Sequence, residues 1–160
     1  MAYYVTEYAS PIGKMLLASD GTALCGLWLE GQKHYAVGLA AEVTGKDDLP
    51  VFVAVKAWLD DYFAGKCPSA EGIDLAPLGS AFQQKVWREL RLIPYGQTVT
   101  YGELAKRLNS SARAVGSAVG RNPISVVVPC HRVVGANGAL TGYAGGIHKK
   151  IWLLEHEKTR

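Results

Sequence analysis

Residues 100–120 read "TYGELAKRLNSSARAVGSAVG". Thr100 followed three positions later by Glu103 is a capping box, in which each side chain satisfies the other residue's backbone N–H. It opens a short amphipathic helix that runs to Leu108. "NS" breaks that helix, and "SARAVGSAVG" (111–120) predicts a second. Two short helices joined by a tight turn describe a helix-turn-helix. The second helix is unusual. A helix that reads bases carries several Arg, Asn, Gln or Lys side chains. This one has Arg113 alone among Ala112, Ala114, Gly116, Ser117 and Ala118. Such a helix is either packed tightly inside the protein, or pressed against nucleic acid without reading sequence. In the second case a single Arg would fill the space that an extruded base leaves.

Outward from this unit, "AFQQKVWRELRLIP" (81–94) places Phe82, Val86, Leu90 and Ile93 on one helical stripe, with Ser80 as cap. Downstream, "ISVVVP" (124–129) reads as a short buried extended run, and "KKIWLLEHEK" (149–158) as a closing helix. The first half differs in character. "YYVTEY", "KMLLAS" and "ALCGLWLE" are rich in β-formers and separated by the turn sequences "SPIG" and "SDGT", which predicts antiparallel strands. The stretch 30–50 is ambiguous and loop-rich. "LPVFVAVKAWLDDYFAGK" (49–66) predicts a helix with Pro50 in its first turn and Gly65 as its stop. The Pro- and Gly-broken stretch 67–80 reads as a linker.

With 160 residues, 49% hydrophobic and 19% charged, a packed core is expected and global disorder is not. The N-terminal residues lack the basic head and apolar core of a signal peptide, and no apolar run approaches membrane-spanning length. The net charge of +3 is unevenly spread. Residues 1–79 hold 5 basic and 10 acidic residues, and residues 80–160 hold 12 and 4. Either solvated faces happen to segregate, or the second half meets a polyanion such as nucleic acid.

Cys25, Cys67 and Cys130 are odd in number, far apart and without a Cys-x-x-Cys pair. That argues against a disulfide framework or a cysteine zinc site, and for a reducing, cytoplasmic setting. Cys25 falls in a predicted strand and Cys67 in a loop. Cys130 stands in "VVVPCHRVVG" (126–135), between Pro129 and His131, with Arg132 next. A lone cysteine after valines is ordinarily a small core residue. Pro129 argues otherwise, because it ends strand pairing where the thiol appears. A reactive cysteine needs a cation, a hydrogen-bonded histidine or a helix N-terminus to favour its thiolate. Adjacent side chains of an extended segment point apart, so Cys130 and His131 would need a bridging water, with a carboxylate behind the imidazole. The late acids available for this are Glu155 and Glu157. His34 and His148 have no evident partner in the sequence.

"PCHRVV", preceded by "NPIS" and followed by "TGYAGG" and "WLLEHE", resembles the O6-alkylguanine-DNA alkyltransferases. The resemblance covers the second half from "FQQKVW" through "IPYGQTVTYGELA" and "ARAVGSA", and extends weakly into the first through "SPIG" and "DYFAGK". It implies an α+β protein. Residues 1–76 would form a ribonuclease-H-like antiparallel sheet with a helix, and residues 77–160 a mainly helical, winged helix-turn-helix domain. It implies that Cys130 accepts the alkyl group, that His131 draws off its proton through a water, and that Glu157 holds the imidazole. Asn122 would organise backbone at the site. Tyr101 would support the flipped guanine and protonate its ring. Val133 and Ala144, through backbone groups, and Tyr143 would line the guanine pocket. Arg113 would replace the extruded base, with Ala112, Ala114, Gly116, Ser117 and Arg121 against the DNA. The partner would be double-stranded DNA containing O6-alkylguanine, bound by a monomer through the minor groove largely without regard to sequence. No membrane would be involved.

The implied chemistry is an in-line displacement at carbon that needs no metal and no cofactor, because the methyl already sits on the DNA. The thioether formed resists hydrolysis, so each molecule would act once. The sequence departs from the pattern in its short "NSSA" turn, two residues shorter than in many relatives, and in Ala144, a serine in some of them. It shows no zinc ligand set in its first half, and a fused cysteine-rich sensor domain before it is not expected. Two other readings remain: a damage-flagging binder of the same fold, which would lack the cysteine present here, and a cysteine–histidine hydrolase, which leaves the basic half and small-residue helix without a purpose.

Overall fold

A computed structural model describes residues 2–32, 35–36, 42–140, 143–144 and 146–158. His34 and part of the "TGYAGG" stretch lie outside them.

The β-forming runs of the first half pair as read. Strands β1 (Tyr3–Ser10), β2 (Gly13–Ser19) and β3 (Leu24–Leu29) form an antiparallel meander, with Tyr4 opposite Ser19 and Met15 opposite Leu29. The turn between β2 and β3 closes on Asp20, whose Oδ1 accepts from the N–H groups of Thr22 and Ala23 at 2.9 and 3.0 Å. Gly21 there takes φ +106°, which suits a residue without Cβ. The ambiguous stretch 30–50 yields a short strand, β4 (Val43–Gly45), parallel to β1 at the sheet edge.

Helix α1 (Pro50–Phe63) buries Phe52, Val55, Leu59 and Tyr62. Gly65, at φ +82°, ends it by donating its N–H to the Tyr62 carbonyl. The linker runs along the sheet. Leu24 of β3 donates to Asp74 O and accepts from Ala76 N, both at 2.8 Å. Farther along the same strand, Leu27 N donates to Pro123 O (2.8 Å) and Leu27 O accepts from Ser125 N (3.0 Å). An edge that would otherwise expose unpaired peptide groups is thus covered by two later segments of the chain. The second of these lies five residues before Cys130, which fixes the site against the sheet.

The second half is helical. Helix α2 (Ala81–Leu90) starts with a capping box between Ser80 and Gln83, and α3 (Tyr101–Arg107) with the box between Thr100 and Glu103. Each such cap is worth about 1 kcal/mol. Helix α4 (Ala112–Gly120) is capped by Ser111, whose Oγ accepts from Ala114 N at 3.1 Å. The short turn between α3 and α4 closes because Asn109 adopts φ +51° and Ser110 N reaches Ala105 O at 2.9 Å. Two-residue strands β5 (Val99–Thr100) and β6 (Val133–Val134) pair in parallel, and α5 (Ile147–Lys158) closes the chain. Among the described residues no helix is long and apolar enough to cross a membrane.

The valine run departs from its reading. Ile124 is extended and bridges Leu27, but residues 125–128, though buried, turn instead of extending. Val126 takes φ +69°, and Val127 N bonds Ser125 O at 2.8 Å, a tight γ-turn. A β-branched residue rarely accepts that conformation. Hydrophobicity reported burial correctly, but backbone direction here is set by side-chain hydrogen bonds from Asn122.

Within β3, the Trp28 ring lies directly over Gly26, so that a Cβ there would sit 2.6 Å from the ring's Cζ2. Gly26→Ala should therefore overpack the sheet, lowering stability by about 2 kcal/mol. The thermal midpoint should fall by roughly 5 °C, and an unchanged midpoint would show that Trp28 re-packs freely.

Candidate active site

Asn122 sits two residues beyond α4, fully inside the protein. Its Nδ2 donates to Val128 O at 2.8 Å and to Ile124 O at 3.3 Å, and its Oδ1 accepts from Ile124 N at 3.0 Å. One side chain thus holds the whole turn that presents the cysteine. The next three residues, Cys130–Arg132, form a single 3-10 turn rather than an extended segment. Cys130 and His131 therefore do not alternate across a strand, as adjacent extended residues would.

Cys130 is 4% exposed and His131 fully enclosed. His131 Nε2 lies 2.7 Å from Glu157 Oε2. Its Nδ1 is buried with no hydrogen-bond partner among the described residues. Of the two late acids, Glu155 is solvent-facing beside Lys158, and Glu157 turns inward. The Glu157 carboxylate takes further bonds that the sequence did not disclose. Arg132 grips it through Nε to Oε1 (2.9 Å) and Nη2 to Oε2 (3.1 Å), while its Nη1 donates to Ile93 O (2.6 Å). Tyr62 of α1 donates to Oε2 at 2.6 Å, and Gly96 N to Oε1 at 3.2 Å.

Charge states follow from these contacts. Burial raises the Glu157 carboxyl, but His131 and Arg132 pull it further the other way, leaving it well below the usual carboxylate range. Burial lowers His131, and Arg132 and Lys150 reinforce this against the pull of Glu157, so the imidazole rests neutral. Burial raises the Cys130 thiol; Asn122, Tyr143 and Lys150 offset this only in part. By sequence, His131 and Arg132 are the groups next to the thiol. In the fold Arg132 is committed to Glu157, and the cation near the thiol is Lys150. Fully buried, it donates through Nζ to Val133 O at 2.7 Å. Neither Lys150 nor Tyr62 carries a motif signal in a single sequence. The inward-facing stripe of α5 (Lys150, Leu153, Glu157) was the available hint.

The residues predicted for DNA lie on the helix-turn-helix. Arg113, Ala112, Ser117 and Arg121 are exposed and Ala114 and Gly116 half-buried, while Val115, Ala118 and Val119 face the core. Trp87 of α2 anchors α4 by donating its Nε1 to Ala118 O at 2.8 Å. Tyr101 opens α3 with its ring beside Gly116. Tyr143 and Ala144 are half-buried, the Tyr143 hydroxyl enclosed beside Cys130 and Ser125. Among the described residues no cluster of His, Cys, Asp or Glu could hold a metal ion.

The fold and the site define an α+β protein in which an enclosed cysteine, backed by a histidine–glutamate pair, lies one short segment beyond a helix-turn-helix. Two family models divide the chain between them. Residues 3–77 match the 6-O-methylguanine DNA methyltransferase ribonuclease-like domain, and residues 81–159 match the DNA-binding domain of the same family. A methylated-DNA–protein-cysteine methyltransferase of Haemophilus influenzae is 45% identical over 159 residues, covering 98% of this chain and 87% of that one. One of Methanosarcina acetivorans is 44% identical, over 96% and 97% of the two chains. The crystal structure of Mycobacterium tuberculosis OGT in complex with DNA superposes with a TM-score of 0.84 at 42% identity, covering 99% of this chain and 94% of that one. This chain belongs to the 6-O-methylguanine DNA methyltransferase family.

Glu157→Gln would leave the Arg132 guanidinium buried without its counter-charge, at a cost of about 3–5 kcal/mol. The same pair fixes a pH dependence. Because the folded carboxyl titrates below its ordinary 4.5, its stabilisation is complete above that pH and is lost as pH falls below it. Denaturant titrations between pH 3 and 7 should show the wild type losing stability toward the acid end and Glu157→Gln losing less.

Proposed function

We propose that this protein repairs DNA by direct reversal, transferring the alkyl group of O6-alkylguanine irreversibly to its own Cys130. The observation that carries this reading is an enclosed thiol followed in the chain by an imidazole that pairs with Glu157 and keeps one bare, buried nitrogen. An orphaned buried nitrogen requires a partner, and a water between Nδ1 and the thiol fits the proton path. In the reaction the Cys130 sulfur attacks the alkyl carbon in line with the C–O bond. The S–C bond forms as the C–O bond breaks. The thiol proton passes through the water to His131, and Glu157, held ionised, stabilises the imidazolium. Tyr101 gives its phenolic proton to the guanine ring nitrogen, which releases neutral guanine, and recovers a proton as the relay discharges. The thioether has no route back to a thiol, so turnover stops at one.

The base reaches an enclosed sulfur only by leaving the DNA stack. Arg113, exposed on α4, fills the gap, while Ala112, Ala114, Gly116 and Ser117 let the helix lie close in the minor groove, with Arg121 at its end. Backbone at Val133 and Ala144, with Tyr143, lines the guanine pocket. Residues 1–76 and 77–160 act as the two domains of a monomeric cytoplasmic protein whose affinity for DNA is set by charge, not by sequence.

Intact-protein mass spectrometry after mixing with a duplex bearing one methylated guanine should show one methyl group per molecule, mapped to Cys130. A gain that continues past one, or maps elsewhere, would overturn the reading. Cys130→Ala should take up no methyl yet bind the duplex as wild type does; lost binding would make the cysteine structural. Arg113→Ala should slow repair in duplex on the order of tenfold, since about 1.4 kcal/mol of the unstacking cost goes uncompensated. Its reaction with free O6-benzylguanine should be unchanged, and an equal loss on both substrates would refute the role given to Arg113.

A further inference from the structure

Five donors converge on the Glu157 carboxylate, and they are not equivalent. Arg132 supplies its counter-charge, and Gly96 completes Oε1. Tyr62 alone comes from the N-terminal sheet domain. It places its hydroxyl on Oε2, 2.6 Å away, the same oxygen that meets His131 Nε2 at 2.7 Å. Phenylalanine would fill the same space, so packing does not require the hydroxyl. The ring is also fixed. It stacks on Trp58 (centroids 5.4 Å apart, 14° between planes) and meets Phe63 and Tyr95 edge-on. The Tyr62 carbonyl lies 2.7 Å from His156 Nε2 of α5. The hydroxyl therefore cannot turn away from the carboxylate.

We propose that Tyr62 is a positioning residue for alkyl transfer: by sharing Oε2 of Glu157 with His131, its hydroxyl keeps the imidazole a neutral proton acceptor. The proposal rests on the roles given above to Cys130 and His131. An oxygen that divides its lone pairs between two short donors offers each less charge than it would offer one. The other groups facing the pair act as follows. Arg132 and Lys150 disfavour the imidazolium, and Glu157 favours it. The Cys130 thiol and the Tyr143 hydroxyl rest uncharged, raised by burial. Tyr95, pushed up to about 12, is uncharged too. Burial and the neighbouring carboxylate raise Tyr62 itself far beyond any working pH, so it donates without ever adding charge. Without the hydroxyl, Oε2 would serve His131 more strongly. More imidazolium would form near neutrality, and an imidazolium cannot take the thiol proton.

The test compares Tyr62→Phe with wild type in the pH profile of single-turnover methyl transfer and in the 15N titration of the His131 ring. The acid limb of the profile and the ring titration should both move to higher pH, by roughly half a unit, with rates equal above the limb. An unmoved limb, or a loss equal at every pH, would overturn the proposal. Trp58→Phe supplies the packing control: it trims the ring stacked on Tyr62 and leaves the hydroxyl in place. It should lower the melting temperature without moving the limb, and an equal shift would assign the effect to packing and refute the proposal. The wild-type ring spectrum at pH 7 is decisive even if Tyr62→Phe fails to fold, since an imidazolium there would also overturn it. The ring titration uses no DNA. Failure of wild type to accept a methyl would thus count against the proposed function and leave this test readable.

Discussion

The carboxylate of Glu157 is the point at which four parts of the chain meet. It belongs to the last turn of α5. It is gripped by Arg132 and His131 from the reactive turn, by Tyr62 from α1, and by the Gly96 amide before β5. A buried charge costs several kcal/mol to desolvate, and is tolerated only when its partners satisfy it fully. Five donors meet that demand. The same geometry makes the pair intolerant of partial loss, and so ties the closing helix, the reactive turn and the N-terminal domain into one arrangement.

Around that anchor the reactive centre is quiet. The thiol is protonated by burial, and the imidazole is neutral for the same reason. Such a pair reacts only when an electrophile is brought to the sulfur and the proton has somewhere to go. A cysteine that is spent after one event is better kept inert until its substrate arrives than displayed as a thiolate open to oxidation. The γ-turn at Val126 serves this arrangement. It stores strain in a buried valine between Ile124 and Val128, whose backbone Asn122 holds through two donated hydrogen bonds and one accepted, and so directs the chain sharply into Pro129 and Cys130.

Asn122 also joins the reactive turn to the helix-turn-helix. Helix α4 has one face in the core and the other exposed, and ends two residues before Asn122. Whatever lies against the exposed face of α4 is thereby placed at a fixed offset from Cys130. Val115, Ala118 and Val119 pack inside, while Ala112, Arg113 and Ser117 are exposed.

The sequence by itself determined the elements and most of the candidate site. The Ser80 cap, the capping box at Thr100, the Gly65 stop and the β-rich runs between turn sequences are local signals, and helices α1, α2 and α3 and strands β1 to β3 formed where those signals stood. Cys130 and His131 stood out in the sequence itself, while Asn122 and Glu157 were legible through the family resemblance. Tertiary structure decided the rest. Lys150, Tyr62 and the grip of Arg132 act across gaps of 17, 95 and 25 residues. No local pattern marks a buried lysine or tyrosine as a partner to a distant acid. The valine run shows the same limit: hydrophobicity announces that a segment is buried, but its backbone path depends on which polar side chain, here Asn122, satisfies its peptide groups. Charge states were the last thing fixed, because the desolvation that keeps Cys130 and His131 neutral exists only once the chain has closed around them.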